Sequence, residues 1–325
     1  MTEQPENEDL VRQIDLAMAG FRLDHCLQKL FSQYSRARLQ KWVKEGKVTV
    51  DGQQLRAKDK VFGGETVVLV PEVEPQVRWQ PEAIDLDIVY EDEEIIVLNK
   101  PAGLVVHPAA GNQQGTLLNA LLHHAPELNE MPRAGIVHRL DKDTTGLMVV
   151  ARTLIAQKSL VEQLQARSVT REYYSLVKGA LISGGTVEHP IGRHPVDRKR
   201  MAVVAEGKPA TTHYRVLERF AHHTYLRVNL STGRTHQIRV HLAYINHPLV
   251  GDPVYGGRLR IPKQASEELS SCLHGFRRQA LHAGRLKLVH PQTQEEIEFS
   301  RPVPKDMEDM LETMRAHDPM QPHVR

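Results

Sequence analysis

The residues best suited to chemistry lie in one short stretch, Gly-Ile-Val-His-Arg-Leu-Asp-Lys-Asp-Thr-Thr-Gly, which begins at Gly135 and runs into an apolar segment. Asp141 follows Arg139 by two positions and stands beside a polar turn. A carboxylate can act as nucleophile or base only while it is ionised, and burial without a nearby cation would raise its pKa and protonate it. Asp141 is therefore a candidate catalytic group, with the shaping of a turn as its alternative role.

Two loops resemble ligand-binding motifs but lack an essential residue. Asp141 and Asp143 match the start of a calcium loop, yet the twelfth position, which must supply a bidentate glutamate, is Arg152. Residues 251–257 have the glycine spacing of a phosphate loop, but the last glycine stands where lysine is required. The chain also contains no G-x-S-x-G and no H-E-x-x-H sequence, which argues against serine-hydrolase and zinc-protease chemistry.

Histidines and cysteines give no sign of a metal site. Among the 18 histidines, His236 and His241 are five positions apart, which is wrong for one helical face, and His123 is adjacent to His124. The two cysteines form no C-x-x-C motif, which argues against a zinc site and a disulfide scaffold and fits a reducing compartment. We therefore predict no metal and a cytoplasmic location.

The overall composition is that of an ordinary globular protein. Of the 325 residues, 40% are hydrophobic and 25% are charged, and the formal net charge is +2, so neither a disordered acidic chain nor a uniformly basic nucleic-acid coat fits. A polyanionic partner must be met by local basic patches. No apolar run approaches the roughly 20 residues that cross a bilayer, so we predict no membrane partner.

The elements before residue 71 predict a small basic module. Leucines at helical spacing from Leu23 indicate a first helix, and a second helix follows Ser35, whose side chain can cap it, and ends at Gly46. Val48–Val50, the Asp-Gly turn after it and the valines up to Val70 indicate a small sheet. The second helix gathers basic side chains on one face, namely Arg36, Arg38, Lys41 and Lys44.

This module resembles the S4 RNA-binding domain. The family pattern of Ser-Arg-x-x-Leu, an aliphatic residue, Gly and then Val-x-Val-Asp-Gly is matched within residues 35–52. The resemblance implies that the four basic side chains bind RNA phosphates, and an ordinary solvated basic helix is the alternative.

Prolines and acidic residues separate this module from the rest of the chain. Pro71, Pro75 and Pro81 interrupt the periodic pattern, and residues 82–94 include seven acidic residues and no basic one. The predicted domains are an acidic tail at 1–20, an S4-like module at 21–76, a linker at 77–88, a catalytic domain at 89–316 and a tail at 317–325.

Beyond the linker, extended and helical stretches alternate without a repeat. Residues 95–98 are typical of a buried strand, residues 226–230 alternate as a half-buried strand does, and residues 173–177 indicate a further strand. Leu160 and Leu164 indicate a helix. The predicted fold class is α+β.

Residues 88–315 are similar to the RluA/RluD family of RNA pseudouridine synthases. The stretch around Asp141 matches the signature H-R-L-D-x-x-(T/S)-(S/T)-G, with Asp141 in the place of the catalytic aspartate. The resemblance implies that a mixed, mostly antiparallel-sheet catalytic domain follows the S4-like module. The other matching segments, in the family's order, are 99–108 (N-K-P-x-G-x-x-x-H-P), 171–173 (R-x-Y), 232–241 (T-G-R-x-H-Q-(I/L)-R-x-H), 247–252 and 286–291.

The resemblance implies a reaction that needs no cofactor. Uridine becomes pseudouridine when uracil leaves its ribose through a nitrogen, turns over and rejoins it through a carbon, so no atoms enter or leave. Asp141 is then the catalytic aspartate, as nucleophile or as base. Arg234 is the family's candidate for the ion pair that keeps it charged, and a phosphate contact alone is the alternative for Arg234.

The target base must also leave the RNA stack. By resemblance, Arg139 fills the vacated space, and Tyr173 stacks on the flipped uracil and exchanges a proton late in the reaction. Core packing is the alternative role of Tyr173. Leu286 or Leu288 is expected to form the floor of the pocket.

The predicted function is site-specific isomerisation of uridine in structured RNA, with no protein partner required. The resemblance implies large-subunit ribosomal RNA and the loop of its helix 69, although family members with other ribosomal or transfer RNA targets share the motifs. The alternative is a non-catalytic ribosome assembly factor that uses both modules to hold RNA. That alternative explains the basic helix but gives no reason for Asp141, Tyr173 and Arg234 to occur together.

Overall fold

The computed structural model describes residues 9–32, 34, 36–71, 79–109 and 112–320. The chain divides into two compact units before Trp79. Ser35, the predicted helix cap, lies outside the described residues. None of the helices in these ranges is long and apolar enough to span a membrane.

The helices are α1 (Leu23–Leu30), α2 (Arg36–Lys44), α3 (Leu117–His124), α4 (Leu154–Ala166), α5 (Gln237–Tyr244), α6 (Glu267–Gly275) and α7 (Lys305–His317). The strands are β1 (Leu10–Gln13), β2 (Val48–Val50), β3 (Thr66–Leu69), β4 (Ile88–Glu91), β5 (Ile95–Lys100), β6 (Thr145–Ala151), β7 (Thr170–Lys178), β8 (Gly185–Glu188), β9 (Ile191–Arg193), β10 (Met201–Val203), β11 (Thr211–Arg219), β12 (His223–Leu230), β13 (Leu281–Val289) and β14 (Glu296–Ser300).

In the described part of the first unit, two helices share a core with an antiparallel sheet of order β1, β3, β2. Leu23 and Leu27 of α1 are fully buried, as are Leu39 and Trp42 of α2, because the spacing within each pair places both residues on one helix face. Tyr34 packs edge-on against Trp42, with ring centroids 4.9 Å apart. The predicted helix pair and small sheet are confirmed.

The predicted acidic tail is wrong for residues 10–20. The strand β1 pairs antiparallel with β3, with Leu10 opposite Leu69. Ile14 is 1% exposed, whereas Asp9 and Asp15 lie at the surface. The segment therefore covers one edge of β3. Its acidic composition alone did not indicate this strand. Residues 1–8 lie outside the described part of the chain.

In the second unit, nine of the described strands form one sheet of order β4, β5, β6, β13, β7, β12, β11, β8, with β14 paired to β13. Only β6 and β13 run parallel among these pairs, with Thr145 opposite His282, and the other neighbours are antiparallel. The strands β9 and β10 form a separate ribbon. The mixed, mostly antiparallel sheet and the α+β class are confirmed.

The centre of this sheet positions the segment that carries Asp141. The strand β6 begins at Thr145, shortly after Asp141, and all of its residues are buried. The strand β13 contacts β6 near its start and pairs with β14 from Arg285 onward. Gly146 is required at this contact because its φ is +117° and a Cβ would lie 2.3 Å from the carbonyl oxygen of Ala283.

Both ends of the second unit differ from the prediction. Trp79 and Leu86, placed in the predicted linker, pack against the core of this unit. At the other end, Asp318 is 3% exposed and accepts hydrogen bonds from Nδ1 of both His222 and His223 at 2.8 Å. Buried contacts therefore extend the unit from 79 to at least 318, and residues 321–325 lie outside the described part.

Candidate active site

A cleft of about 990 Å³ opens in the second unit, lined by the Asp141 loop, β7 and the segment that leads from β12 into α5. Asp141 is the only carboxylate among the described residues that line it. The lining also includes six arginines, which are Arg133, Arg139, Arg167, Arg171, Arg234 and Arg239. A strongly cationic cleft around one carboxylate suits a polyanionic substrate.

Lys100 holds the Asp141 loop from inside the protein. Its side chain is fully buried, and Nζ donates to the carbonyl oxygens of Pro101, Leu104 and Lys142 at 2.7, 2.9 and 2.8 Å. Burial lowers the pKa of Lys100 to about 8. Because three carbonyl groups accept from the ammonium, the bond to Lys142 fixes the residue that directly follows Asp141.

The loop is entered through a strained left-handed turn. Arg133, Ala134 and Gly135 have φ values of +56°, +50° and +73°, and such a conformation costs about 1–3 kcal/mol at each non-glycine residue. A Cβ on Gly135 would lie 1.8 Å from the carbonyl oxygen of Ala151. The turn therefore brings the start of the loop into close contact with the end of β6.

His138 ties the loop to β6 a second time. Its Nε2 accepts a hydrogen bond from the backbone N–H of Val149 at 3.1 Å. Burial, together with the charge of Arg171, lowers the pKa of His138 to about 3. The ring is therefore neutral at physiological pH and serves as an acceptor.

Arg239 holds Asp141 in place. Its Nη1 donates to Oδ2 of Asp141 at 2.9 Å, and its Nε and Nη2 donate to the carboxylate of Asp252 at 2.7 and 2.9 Å. Burial alone would raise the pKa of Asp252, but the hydrogen bonds and charge of Arg239 outweigh it and lower that pKa. One planar cation thus links Asp141 to a buried second carboxylate and sets its orientation.

The predicted ion pair of Arg234 with Asp141 is wrong. Nε of Arg234 donates to the carbonyl oxygen of Pro209 at 3.2 Å, and its backbone N–H donates to Oε1 of Gln237 at 3.0 Å. Gln237 is the first residue of α5, and the turn that its side chain stabilises places Arg234 before the helix and Arg239 in its first turn. Both arginines line the cleft, but Arg239 reaches the carboxylate.

His236 lies beside the other oxygen of Asp141, with Nε2 3.7 Å from Oδ1. Its Nδ1 is 2.8 Å from the hydroxyl of Tyr255, which accepts from the N–H of Met201 at 2.9 Å. The hydroxyl hydrogen is therefore available to Nδ1 in the tautomer that carries the ring proton on Nε2. Burial lowers the pKa of His236 although the charge of Asp141 opposes it, and in that tautomer the neutral ring directs an N–H towards the carboxylate.

Tyr173 and Arg139 line the cleft near Asp141. Tyr173 is 5% exposed and belongs to the main core, and burial raises its pKa. It therefore packs in the core and also presents a surface to the cleft. Arg139 is exposed and makes no hydrogen bond within the described residues, so its guanidinium is available to a ligand.

Leu286 and Leu288, the predicted floor residues, do not reach the cleft. They are 1% and 2% exposed and pack in a cluster with Leu160 of α4. A β-bulge between Ala283 and Arg285 interrupts the alternation of β13, and beyond it Leu286 and Leu288 are covered by the cluster with α4. Leu281, before the bulge, lines the cleft instead.

The basic residues of α2 in the first unit differ in their roles. Arg36 donates to the buried carboxylate of Asp24 at 2.8 Å. Burial would raise the pKa of Asp24, but hydrogen bonds, first from Arg36, hold it well below its usual range. Arg36 therefore helps to attach α2 to α1. Arg36 is nevertheless exposed, as are Arg38, Lys41 and Lys44.

Sequence reasoning missed several residues that build this site. Arg239, His236 and Asp252 all stand in segments that matched the family, and Lys100 stands in another. The signal for Arg239 was present, since T-G-R-T-H-Q-I-R contains two arginines. A buried arginine also needs a buried acceptor, which Asp252 supplies.

Both units match known families. Residues 94–244 match the RNA pseudouridylate synthase family, and residues 21–67 match the S4 domain family.

Several proteins named ribosomal large subunit pseudouridine synthase D are similar to this chain. The Escherichia coli protein is 58% identical over 298 residues, which cover 91% of each chain. The Pseudomonas aeruginosa protein is 57% identical over 303 residues, covering 93% of this chain and 95% of the relative. The Vibrio vulnificus protein is 54% identical over 316 residues, covering 97% and 96%.

Two solved human structures share the fold. RNA pseudouridylate synthase domain containing 4 has a TM-score of 0.56 and 28% identity, and it covers 70% of this chain and 92% of its own. RNA pseudouridylate synthase domain containing 1 has a TM-score of 0.54 and 27% identity, with 76% and 92% covered.

Proposed function

The chain belongs to the RNA pseudouridylate synthase family, and we propose that it converts uridine to pseudouridine in large-subunit ribosomal RNA. The observation that carries the proposal is the ion pair of Asp141 with Arg239 inside a cleft whose described lining includes six arginines and no other carboxylate. An RNA strand in this cleft would bring its phosphates to the arginines and one ribose to the carboxylate.

The reaction is balanced without a co-reactant. The bond between the ribose and a uracil nitrogen breaks, the base turns over, and a bond forms between the same ribose carbon and a uracil carbon. That carbon loses a proton and the nitrogen gains one. Asp141 can serve by attacking the sugar, by adding to the ring or by removing a ribose proton. Each role requires the ionised carboxylate, and the guanidinium of Arg239 supplies its counter-charge.

Asp141 can act only on a nucleotide that has left the stack. Flipping costs roughly a few kcal/mol, which contacts with the protein must offset. The exposed guanidinium of Arg139 is placed to fill the gap in the RNA, and the ring of Tyr173 offers a surface on which the uracil can stack.

The substrate follows from the relatives and from the first unit. The similar bacterial proteins are named for the large ribosomal subunit, and the S4 unit supplies an exposed basic helix. We assign the loop of helix 69 as the target and the cytoplasm, where ribosomes assemble, as the location. A cleft lined by side chains from loops and strands selects RNA by shape as well as by base.

Replacement of Asp141 by asparagine tests the assignment. Asp141→Asn keeps the shape and removes the charge, so it is expected to abolish pseudouridine formation while leaving RNA affinity within about 1.4 kcal/mol, a tenfold change. Product is measured by digestion of large-subunit RNA after incubation and separation of its nucleosides. Wild type and variant are compared at equal RNA occupancy.

The alternative function, a non-catalytic assembly factor, makes the opposite prediction. Such a factor would bind the RNA and leave every uridine unchanged, and Asp141→Asn would then have no measurable effect. Turnover by the asparagine variant would instead show that another group performs the chemistry.

A further inference from the structure

Arg171 is a cation of the cleft that the isomerisation chemistry leaves without a task. It is the second residue of β7 and lines the cleft. Its Nε is buried and has no hydrogen-bond partner, and the guanidinium forms no ion pair within the described residues. A buried charged donor without an acceptor is costly, so this arrangement favours a ligand that supplies one.

The neighbouring carboxylates are already engaged elsewhere. Glu172 follows Arg171 in the strand, so its side chain faces the opposite side of the sheet, where it lies 3.8 Å from Arg227 and 3.9 Å from Arg285. Asp141 pairs with Arg239. Among the described residues, no carboxylate remains as an acceptor for Arg171, so a ligand is expected to supply it.

Gly233 leaves room for this guanidinium. A Cβ at Gly233 would lie 3.0 Å from Nη1 of Arg171. The φ of Gly233 is outside the left-handed region, so the backbone itself does not require glycine there. The missing side chain instead allows the guanidinium to lie against the segment before α5 with its donors towards the cleft.

The position along β7 relates Arg171 to the target base. Arg171 and Tyr173 are two residues apart, so their side chains share the cleft face and their Cα atoms lie about 6.6 Å apart. A uracil stacked on Tyr173 thus brings its own sugar-phosphate backbone close to Arg171. A uracil carbonyl is neutral, whereas a phosphate supplies both the missing acceptor and the opposite charge.

We infer that Arg171 binds a backbone phosphate next to the flipped uridine and so determines which nucleotide reaches Asp141. The inference rests on the proposed function, because it assumes an RNA substrate. It assigns Arg171 to binding and leaves the chemical step to the residues around Asp141.

The test is a phosphate scan on the full-length protein. Stem-loop RNAs are prepared in which a single neutral methylphosphonate replaces one phosphate at a time around the target uridine. Wild type should lose about ten- to a hundredfold in affinity at one position through loss of a charge-assisted contact. Arg171→Met should bind the unmodified RNA more weakly by a similar factor and show less than a threefold further loss at that position. Its slope of log affinity against log salt should fall by about 0.7–0.9.

Two further variants control the measurement. Gly233→Ala crowds the guanidinium without removing it and should reproduce part of the loss at the same position, which keeps the test valid if Arg171→Met fails to fold. Arg219→Met removes an exposed arginine from β11, outside the cleft, and should retain the wild-type scan.

The outcomes separate this inference from the proposed function. If Arg171→Met and Gly233→Ala keep the full methylphosphonate penalty at every position, Arg171 does not bind a phosphate and the inference is overturned. Pseudouridine formation by the wild type on unmodified RNA is scored separately. An RNA that binds but is not converted would refute the function, while the scan would still decide the role of Arg171.

Discussion

Arg239→Lys should damage the enzyme far more than its conservative appearance suggests. Arg239 makes three charge-assisted hydrogen bonds, two to Asp252 and one to Asp141. A lysine ammonium is a point donor and cannot serve both carboxylates from one position. If two of the three bonds are lost at about 1.5–3 kcal/mol each, the total is about 3–6 kcal/mol, divided between stability and transition-state binding. A loss of about 2.7 kcal/mol from the transition state alone lowers the rate about a hundredfold.

The measurement is single-turnover pseudouridine formation at saturating RNA, with urea unfolding to account for the loss in stability. The matched control is Arg234→Lys, the same replacement in the same cleft. Arg234 makes one side-chain hydrogen bond, to a backbone carbonyl, and should stay within about threefold of wild type. A near-wild-type rate for Arg239→Lys, or an equal loss in both variants, would refute the assignment of the ion pair.

Two more perturbations have expected outcomes. A chain shortened to begin at Trp79 should still convert uridine at saturating RNA, because Asp141 and its partners lie in the second unit, but it should lose affinity. Loss of Arg38, Lys41 and Lys44, the exposed cations of α2 other than Arg36, should also lower the slope of log affinity against log salt concentration by about 2–3. A folded but inert shortened chain would show that the first unit is needed for chemistry. Acid should destabilise the protein below pH 6.5, because burial lowers the pKa of His138 to about 3 and of His282 to about 4. As the pH falls, the two histidines take up protons in the unfolded chain before they do so in the folded protein. The free energy of unfolding should therefore decrease by up to about 1.4 kcal/mol for each histidine per pH unit as the pH is lowered from about 6.5 to 4. Urea midpoints from pH 7 to pH 5 would record the trend, and His282→Gln should flatten it. A midpoint independent of pH would contradict this account of their burial.

The position of the candidate catalytic aspartate can be predicted from linear order, and the identity of its partner cannot. The motif around Asp141 is continuous in sequence, so residue types and spacing alone indicate its chemistry. Which of two arginines reaches the carboxylate depends on how Gln237 closes the turn into α5. That closure involves a hydrogen bond to Thr212, which is 25 residues earlier in the chain.

The prediction of the apolar pocket residues failed for the same reason, because it too depends on contacts between distant parts of the chain. Leu281 and Leu286 belong to one strand and are chemically alike, but a β-bulge between Ala283 and Arg285 separates them. Which of them lines the cleft depends on what covers each end of the strand: Leu281 packs in the main core and Leu286 in the cluster with α4. Alternation predicts two faces and does not say which one lines the site.

The parallel contact between β6 and β13 has a consequence for synthesis of the chain. Thr145 and His282, which meet there, are separated by 137 residues, and a ribosome needs roughly 7 to 27 s to make that length at about 5–20 residues per second. Throughout this interval β6 lacks its β13 neighbour, so the backbone groups of Thr145 and Gly146 that pair with β13 in the finished protein have no partner from that strand. The first unit, whose strands all precede Val70, can fold meanwhile. The nascent chain thus completes the residues of its S4 unit well before it can close the cleft around Asp141.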